Sequence, residues 1–155
     1  MLYFTEAGVS SLEVPSEISL CIYISGCQNH CYHCQCPELQ LPDYGEPLGK
    51  NGFILIAAYS PQITCVCFLG EGRNTQTEHE EFDGYVAYSH SLKLKACLYS
   101  GRDILPEGWM TEFDYIKVGS YQENQGPLTS PTTNQRLYKK QFGQYEDITP
   151  RFWNK

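Results

Sequence analysis

The sequence predicts an α/β fold, a partial and open β/α barrel with a mostly parallel sheet, in which residues 1–155 form a single domain. Its 155 residues suffice for one domain with a substantial core, but a complete eight-fold barrel needs about 200 residues or more. Strand-like apolar runs alternate with helical patterns and glycine-bearing turns, an order that is typical of right-handed βαβ units.

Four apolar runs are predicted strands, and they cover residues 18–24, 63–69, 95–99 and 115–118. A short helix is predicted over residues 53–59, and its apolar character on all sides indicates burial. A second helix is predicted to start at the capping box Thr77-Glu78-His79-Glu80. Its apolar face would then follow at helical spacing, with Phe82, Tyr85, Val86 and Ser89.

The carboxyl ends of parallel strands share one edge of a sheet, and ligands of open α/β sheets bind beyond that edge. The predicted strands end there at a cysteine-rich loop, at Gly70-Glu71-Gly72, at residues 100–102 and at Gly119. We therefore expect the cysteines and these three turns to converge at one rim of the sheet.

Composition excludes several classes of function. The chain has 18 acidic residues against 11 Lys and Arg, a formal net charge of −7, which argues against nonspecific binding of nucleic acid. The apolar run at residues 53–59 is far too short to span a membrane, and the first ten residues lack the features of a signal peptide. We therefore expect a cytoplasmic protein without membrane or nucleic-acid partners, in which disulfides are rare.

Half of the 8 cysteines lie within residues 27–36. Cys27, Cys31 and Cys34 have the spacing C-x3-C-x2-C, which lets a short loop bind an iron–sulfur cluster with three thiolates. Cys36 is a candidate fourth ligand that would close such a cluster. Zinc is the alternative metal, bound by Cys31, Cys34 and the neighbouring histidines. The remaining cysteines lie in predicted strands and are expected to pack as small apolar residues: Cys21, Cys65, Cys67 and Cys97.

The cysteine motif, which follows an apolar strand, resembles that of the radical S-adenosylmethionine (SAM) superfamily. Further stretches resemble one branch of it, the activating proteins of anaerobic (class III) ribonucleoside-triphosphate reductase. The resembling stretches are 13–34 (EVPSEISLCIYISGCQNHCYHC), 45–48 (GEPL), 63–70 (ITCVCFLG), 98–102 (LYSGR), 113–121 (FDYIKVGSY) and 128–138 (LTSPTTNQRLY). The cysteine motif marks the superfamily, whereas the TTNQR-type segment is more specific to this branch.

The resemblance implies an enzyme, a glycyl-radical activase of the oxidoreductase class. A [4Fe–4S] cluster held by Cys27, Cys31 and Cys34 would cleave SAM reductively to a 5′-deoxyadenosyl radical. That radical would generate a glycyl radical on the partner, anaerobic ribonucleoside-triphosphate reductase. A flavodoxin-type protein would supply the electron.

The resemblance also implies which residues bind SAM: His33 before the third cysteine, the turn Gly70, Glu71 and Gly72, and then Ser100 and Arg102. The family commonly has two glycines followed by an acid in this turn, whereas here Glu71 stands between the glycines. Two other functions stay open. One is a small-substrate enzyme of the same superfamily, for example in deazapurine synthesis, and the other is a non-enzymatic, zinc-stabilised interaction domain.

Overall fold

The computed structural model describes residues 1–25 and 45–153. The strands are β1 Tyr3–Ser10, β2 Ser19–Ile24, β3 Glu46–Pro47, β4 Cys65–Leu69, β5 Lys95–Tyr99, β6 Tyr115–Val118, β7 Arg136–Gln141 and β8 Gln144–Asp147. The helices are α1 Gly49–Tyr59 and α2 Gln76–Ser91, and short 3₁₀ turns cover Ser60–Gln62, Gly108–Met110 and Thr149–Phe152. All eight strands belong to one sheet, in the order β3-β1-β2-β4-β5-β6-β7-β8.

The four predicted strands are confirmed as β2, β4, β5 and β6, and they pair with each other in parallel. The flanking strands β1, β3, β7 and β8 pair antiparallel, so the sheet as a whole is mixed. Within the described residues, β3 and β8 each have a single neighbour, and the sheet is therefore open. Its barrel form stays a prediction. Among the helices of the described residues, none is both long and apolar enough to cross a membrane.

The central strands are buried on both faces, which is why they read as continuous apolar runs in the sequence. One face of the sheet, here called the helix face, packs side chains such as Ile22, Phe68 and Leu98 against α1 and α2. On the opposite face, Cys21, Cys67 and Cys97 occupy matching positions of adjacent strands. This cysteine face packs against residues from outside the central strands, among them Val14, Ile148 and Phe152.

The prediction for the strand cysteines is confirmed. Their thiols are free and buried in the cysteine face of the sheet: Cys21, Cys65, Cys67 and Cys97. Because adjacent strands are in register, three of these thiols form a row that continues into the ring of Tyr115.

Helix α2 buries the predicted face, Phe82, Tyr85, Val86 and Ser89. The predicted cap is wrong, however, since Thr75 is the N-cap and its side-chain oxygen accepts a hydrogen bond from the Glu78 N–H at 3.3 Å. The carboxylate of Glu78 accepts from the Arg73 N–H at 2.6 Å. The Thr-x-x-Glu spacing that caps the helix therefore begins at Thr75, two residues before the predicted Thr77.

The predicted short helix exists as α1, but it starts at Gly49 and its predicted burial is wrong. Only Gly52 and Ile56 are buried, whereas the side chain of Ile54 is 63% exposed. The helix packs against α2, where Gly52 sits against the Tyr85 ring. An apolar pattern on all sides does not reveal which side the sheet and α2 leave uncovered.

Both flanks of residues 26–44 are held by the start of β1. The Ser25 N–H donates to the Tyr3 carbonyl at 3.0 Å, and on the other side Glu46 pairs with Phe4. Gly45 has φ +94°, and a Cβ there would lie 2.1 Å from the Phe4 carbonyl oxygen. Glycine is therefore required at this close approach to the strand.

Candidate functional site

The carboxyl ends of the four parallel strands lie at one edge, here called the rim. Hydrogen bonds tie the first residues beyond the strands to their neighbours: the Gly70 N–H donates to the Tyr99 carbonyl at 3.1 Å, and the Ser100 N–H to the Lys117 carbonyl at 2.7 Å. The Gly119 N–H donates to the Arg102 carbonyl at 2.7 Å. The predicted convergence of the three turns is therefore confirmed.

The predicted cluster ligands lie in residues 26–44, outside the described residues. This applies to Cys27, Cys31 and Cys34, to the candidate fourth ligand Cys36 and to the predicted SAM contact His33. Their roles stay predictions. Across residues 1–25 and 45–153, no group of three or more His, Cys, Asp or Glu is arranged to hold a metal ion.

The glycine turn after β4 is shaped by close contacts within the chain. Gly70 has φ +127°, and a Cβ on it would lie 2.9 Å from the Ile24 carbonyl oxygen at the end of β2. Gly72 has φ +64°, and a Cβ there would lie 2.9 Å from a carboxylate oxygen of Glu78. Side chains at either position would displace the turn, so both glycines have a structural reason in addition to any contact with a ligand.

Between these glycines, Glu71 forms a bidentate ion pair with Arg102. Arg102 Nε donates to Glu71 Oε2 at 2.9 Å, and Arg102 Nη2 donates to Glu71 Oε1 at 2.8 Å. The same guanidinium donates to Glu107, from Nη2 to Oε1 at 2.6 Å and from Nη1 to Oε2 at 3.2 Å. The three side chains, here called the rim clamp, join the turn after β4 to the loop after β5.

Burial differs among the members of the rim clamp. The Glu71 side chain is 8% exposed, whereas those of Arg102 and Glu107 are 29% and 38% exposed. The hydrogen bonds to Glu71 raise the pKa of Arg102 above its already high ordinary value, in spite of partial burial. The hydrogen bonds from Arg102 lower the pKa of Glu107. Both shifts favour the ionised forms of Arg102 and Glu107.

The clamp continues toward α2 through an aromatic pair. Trp109 Nε1 donates to Glu107 Oε1 at 2.9 Å, and the Trp109 ring stacks on the ring of His79 with centroids 3.8 Å apart. His79 Nε2 is hydrogen-bonded to Asn74 Oδ1. Burial lowers the pKa of His79, although acidic groups nearby act in the opposite direction. Glu107 and Trp109 are not among the predicted site residues, because no spacing in the sequence links them to Glu71.

Ser100 lies under the rim rather than at its surface. Its hydroxyl is buried and accepts a hydrogen bond from the Arg102 N–H at 3.2 Å. Lys117, on the adjacent strand, is also buried, and its Nζ donates to the Gly119 carbonyl at 2.8 Å. The Lys117 ammonium lies 5.6 Å from the centroid of the Tyr99 ring. Ser100 therefore shapes the turn that carries Arg102, and Lys117 ties this turn to Gly119 because its Nζ also donates to the Ser100 carbonyl at 3.4 Å.

Two buried polar atoms at the rim have no hydrogen-bond partner among the described residues, Ser25 Oγ and Asn134 Oδ1. The orientation of the Asn134 amide is fixed, because its Nδ2 donates to the Ser120 carbonyl at 3.0 Å and to Asp103 Oδ1 at 3.4 Å. Buried groups of this kind are uncommon in native proteins, so each is expected to have a partner in a water, a ligand or the rest of the chain.

The predicted residues Gly70, Glu71, Gly72, Ser100 and Arg102 thus lie together at the rim. The two charged residues among them, Glu71 and Arg102, form an ion pair with each other. Its described part offers fixed backbone groups, a paired carboxylate and two polar atoms without a partner among the described residues. The cysteine motif begins at Cys27, two residues after Ser25. Comparisons of the chain with protein-family models, with curated proteins and with solved structures returned no match.

Proposed function

We propose that this chain is a cytoplasmic radical SAM activase that generates a glycyl radical on anaerobic ribonucleoside-triphosphate reductase. The observation that carries the proposal is the meeting of four parallel strand ends at one rim, from which β2 leads directly into Cys27–Cys34. The end of β2, which precedes the motif in the chain, lies next to the glycine turn after β4, and this supports a SAM site beside a cluster.

The residues fit these cofactors in their chemistry. Three thiolates at C-x3-C-x2-C spacing are the donor set of an iron–sulfur cluster with one open iron. The Ser25 hydroxyl, buried and without a partner among the described residues, supplies a hydrogen-bonding group where the motif begins. The rest of the SAM site consists of His33 and of the rim residues Gly70, Glu71, Gly72, Ser100 and Arg102.

When bound, the [4Fe–4S] cluster and SAM supply a 5′-deoxyadenosyl radical, which removes a hydrogen atom from a glycine of the reductase. The chain itself holds the cofactors at the rim and admits the partner. An open sheet supports a folded protein as the substrate, since an enzyme for a small molecule gains from a closed pocket that excludes water. A flavodoxin-type protein is the proposed electron donor.

The test is anaerobic reconstitution of the full chain with iron and sulfide, followed by addition of SAM, a reductant and the candidate reductase. We expect about four irons per chain, release of 5′-deoxyadenosine and a glycyl-radical signal on the reductase in electron paramagnetic resonance. Cys27→Ala, Cys31→Ala and Cys34→Ala should each abolish cleavage of SAM. Cys97→Ala is the matched control, because it removes a buried thiol of β5 outside the motif and should retain cleavage.

Three results would contradict the proposal. If all three motif variants still release 5′-deoxyadenosine, the motif does not hold the cluster. Cleavage of SAM without a radical on the reductase would favour the small-substrate enzyme. Stoichiometric zinc without iron or sulfide, after anaerobic purification, would establish the zinc-stabilised interaction domain.

A further inference from the structure

The side chains of the cysteine face form two rows across β2, β4 and β5. The rim row consists of the half-buried side chains that end this face, Tyr23, Leu69 and Tyr99. The thiol row beneath it consists of the buried cysteines Cys21, Cys67 and Cys97. Each thiol lies two residues before a member of the rim row and therefore about 7 Å deeper along its strand. The rim row packs against the cluster that contains the thiols.

Two members of the rim row are held in different ways. The Tyr99 hydroxyl donates a hydrogen bond to the Glu13 carbonyl oxygen, and the Lys117 ammonium lies 5.6 Å from the centroid of the Tyr99 ring. Leu69 has no polar group and fills its place on β4 by packing alone, above Cys67 of the same strand. Shortening of Leu69 therefore opens a path to a thiol without breaking a side-chain hydrogen bond.

The two faces of the sheet differ at the rim. On the helix face, the side chains that end the strands are fully covered, since Ile24, Leu98 and Val118 are 1%, 0% and 4% exposed. On the cysteine face, the rim row is only half-buried. The rim row is therefore the part of the central strands that is within reach of a group bound at the rim.

A thiol is a hazard beside a carbon-centred radical. The S–H bond is weaker than the C–H bond that would form, so the transfer of one hydrogen atom converts a 5′-deoxyadenosyl radical into 5′-deoxyadenosine and leaves a thiyl radical on the protein. One SAM molecule and one electron are then consumed without a glycyl radical on the partner. Such a transfer needs reacting atoms about 3–3.5 Å apart, and a filled rim row keeps the thiols beyond that distance.

We infer that Tyr23, Leu69 and Tyr99 form a barrier between the rim and the thiols of β2, β4 and β5, and that this barrier directs the radical to the glycine of the reductase instead of to the chain's own cysteines. The inference rests on the proposed function, which supplies the radical. The barrier itself belongs to the chain alone, so it is tested with and without the cofactors.

The first experiment uses the full chain without metal or SAM. It measures the alkylation of each cysteine by iodoacetamide with peptide mass spectrometry. Leu69→Ala should accelerate the alkylation of Cys67 on the order of tenfold, because access limits the reaction of a buried thiol, and should leave Cys97, beneath Tyr99, close to the wild-type rate. Leu69→Ile keeps the volume of the side chain and is the matched control.

Two results of the alkylation would overturn the inference. One is an unchanged rate at Cys67 in Leu69→Ala. The other is an equal rise at all four strand cysteines, which indicates general loosening of the sheet. The urea midpoint shows whether the variant is folded. If Leu69→Ala does not fold, Leu69→Val is the smaller truncation and should still accelerate the reaction of Cys67 selectively.

The second experiment measures the number of glycyl radicals formed per 5′-deoxyadenosine released, with the reconstituted holoprotein and the reductase. If a thiol and the glycine compete equally for the radical, Leu69→Ala should lower this ratio to about half of the wild-type value. Addition of Cys67→Ala should restore the ratio, because it removes the hydrogen donor although it enlarges the cavity. A structural defect would not be repaired by a second truncation, so failure of this rescue would overturn the inference.

Failure of the proposed function gives a separate result. A wild-type holoprotein that releases no 5′-deoxyadenosine contradicts the proposed function and, with it, the role given to the barrier. A wild type that generates the glycyl radical, combined with an unchanged ratio in Leu69→Ala, contradicts this inference alone.

Discussion

Replacement of Gly52 by alanine is expected to destabilise the fold, although alanine is the better helix former. Gly52 lies within α1 and touches Tyr85 of α2, where a Cβ would come within 2.4 Å of Tyr85 Cε1 and 2.7 Å of Cζ. The ring cannot move away easily. It stacks on Phe68, packs against Phe53, and its hydroxyl donates to the Gly49 carbonyl at 2.8 Å.

The magnitude follows from three terms. Alanine in place of glycine favours a helix interior by about 1 kcal/mol. Overpacking of a well-packed core costs about 1–3 kcal/mol, and loss of the Tyr85 hydrogen bond costs about 1 kcal/mol more. The free energy of unfolding should therefore fall by about 1–3 kcal/mol.

The chain contains its own control in Gly84 of α2. A Cβ there would lie 3.8 Å from Phe53 Cζ, an ordinary contact, so Gly84→Ala should stabilise by about 0.5–1 kcal/mol. Urea titrations of the full-length variants, followed by circular dichroism, compare the two. In a Tyr85→Leu background, Gly52→Ala should lose its cost. The finding that Gly52→Ala is as stabilising as Gly84→Ala would contradict the close contact between Gly52 and Tyr85.

Two further predictions concern titratable groups. Burial lowers the pKa of His79 below its usual 6.5, so the imidazole binds a proton more tightly in the unfolded chain than in the folded one. The free energy of unfolding should therefore fall as the pH drops from about 7.5 to 5.5. His79→Gln should reduce that slope in urea titrations across this range, and an unchanged slope would contradict the assignment. The second concerns the four strand cysteines, whose pKa values are raised by burial or by a neighbouring thiol. Their alkylation by iodoacetamide, mapped by peptide mass spectrometry, should be on the order of 100-fold slower in the native protein than in urea. Rapid alkylation in the native state would contradict the burial of the cysteine concerned, whether it is Cys21, Cys65, Cys67 or Cys97.

The parallel core of the sheet could be predicted from the sequence because burial on both faces produces unbroken apolar runs between glycine turns. The antiparallel strands could not. β1 is interrupted by an irregularity between Phe4 and Ala7, and its side chains are only partly buried, which removes the alternation that marks a strand. β7 and β8 meet at a turn in which Phe142 has φ +52°, a conformation that its residue type does not suggest.

The candidate site was predictable to the same extent. The convergence of the glycine turn with Ser100 and Arg102 follows from strand order alone, because parallel strands carry their carboxyl ends to one edge. The pairing of Arg102 with Glu71 and Glu107 depends on how two loops fold against each other, and no local pattern encodes that. The sequence therefore predicts the rim, but it does not reveal that Glu71 and Arg102 bind each other.

The attachment of Ser25 and Glu46 to the beginning of β1 has a consequence for cofactor loading. A hydrogen bond from Ser25 to Tyr3 and the pairing of Glu46 with Phe4 hold the two flanks of residues 26–44 at the same strand. Formation of the sheet therefore already includes the entropy cost of closing this loop. A metal that binds within the segment has only the interior of an already closed loop to organise. For the proposed cluster, this predicts that the sheet assembles before the cluster is loaded and persists after the cluster is removed.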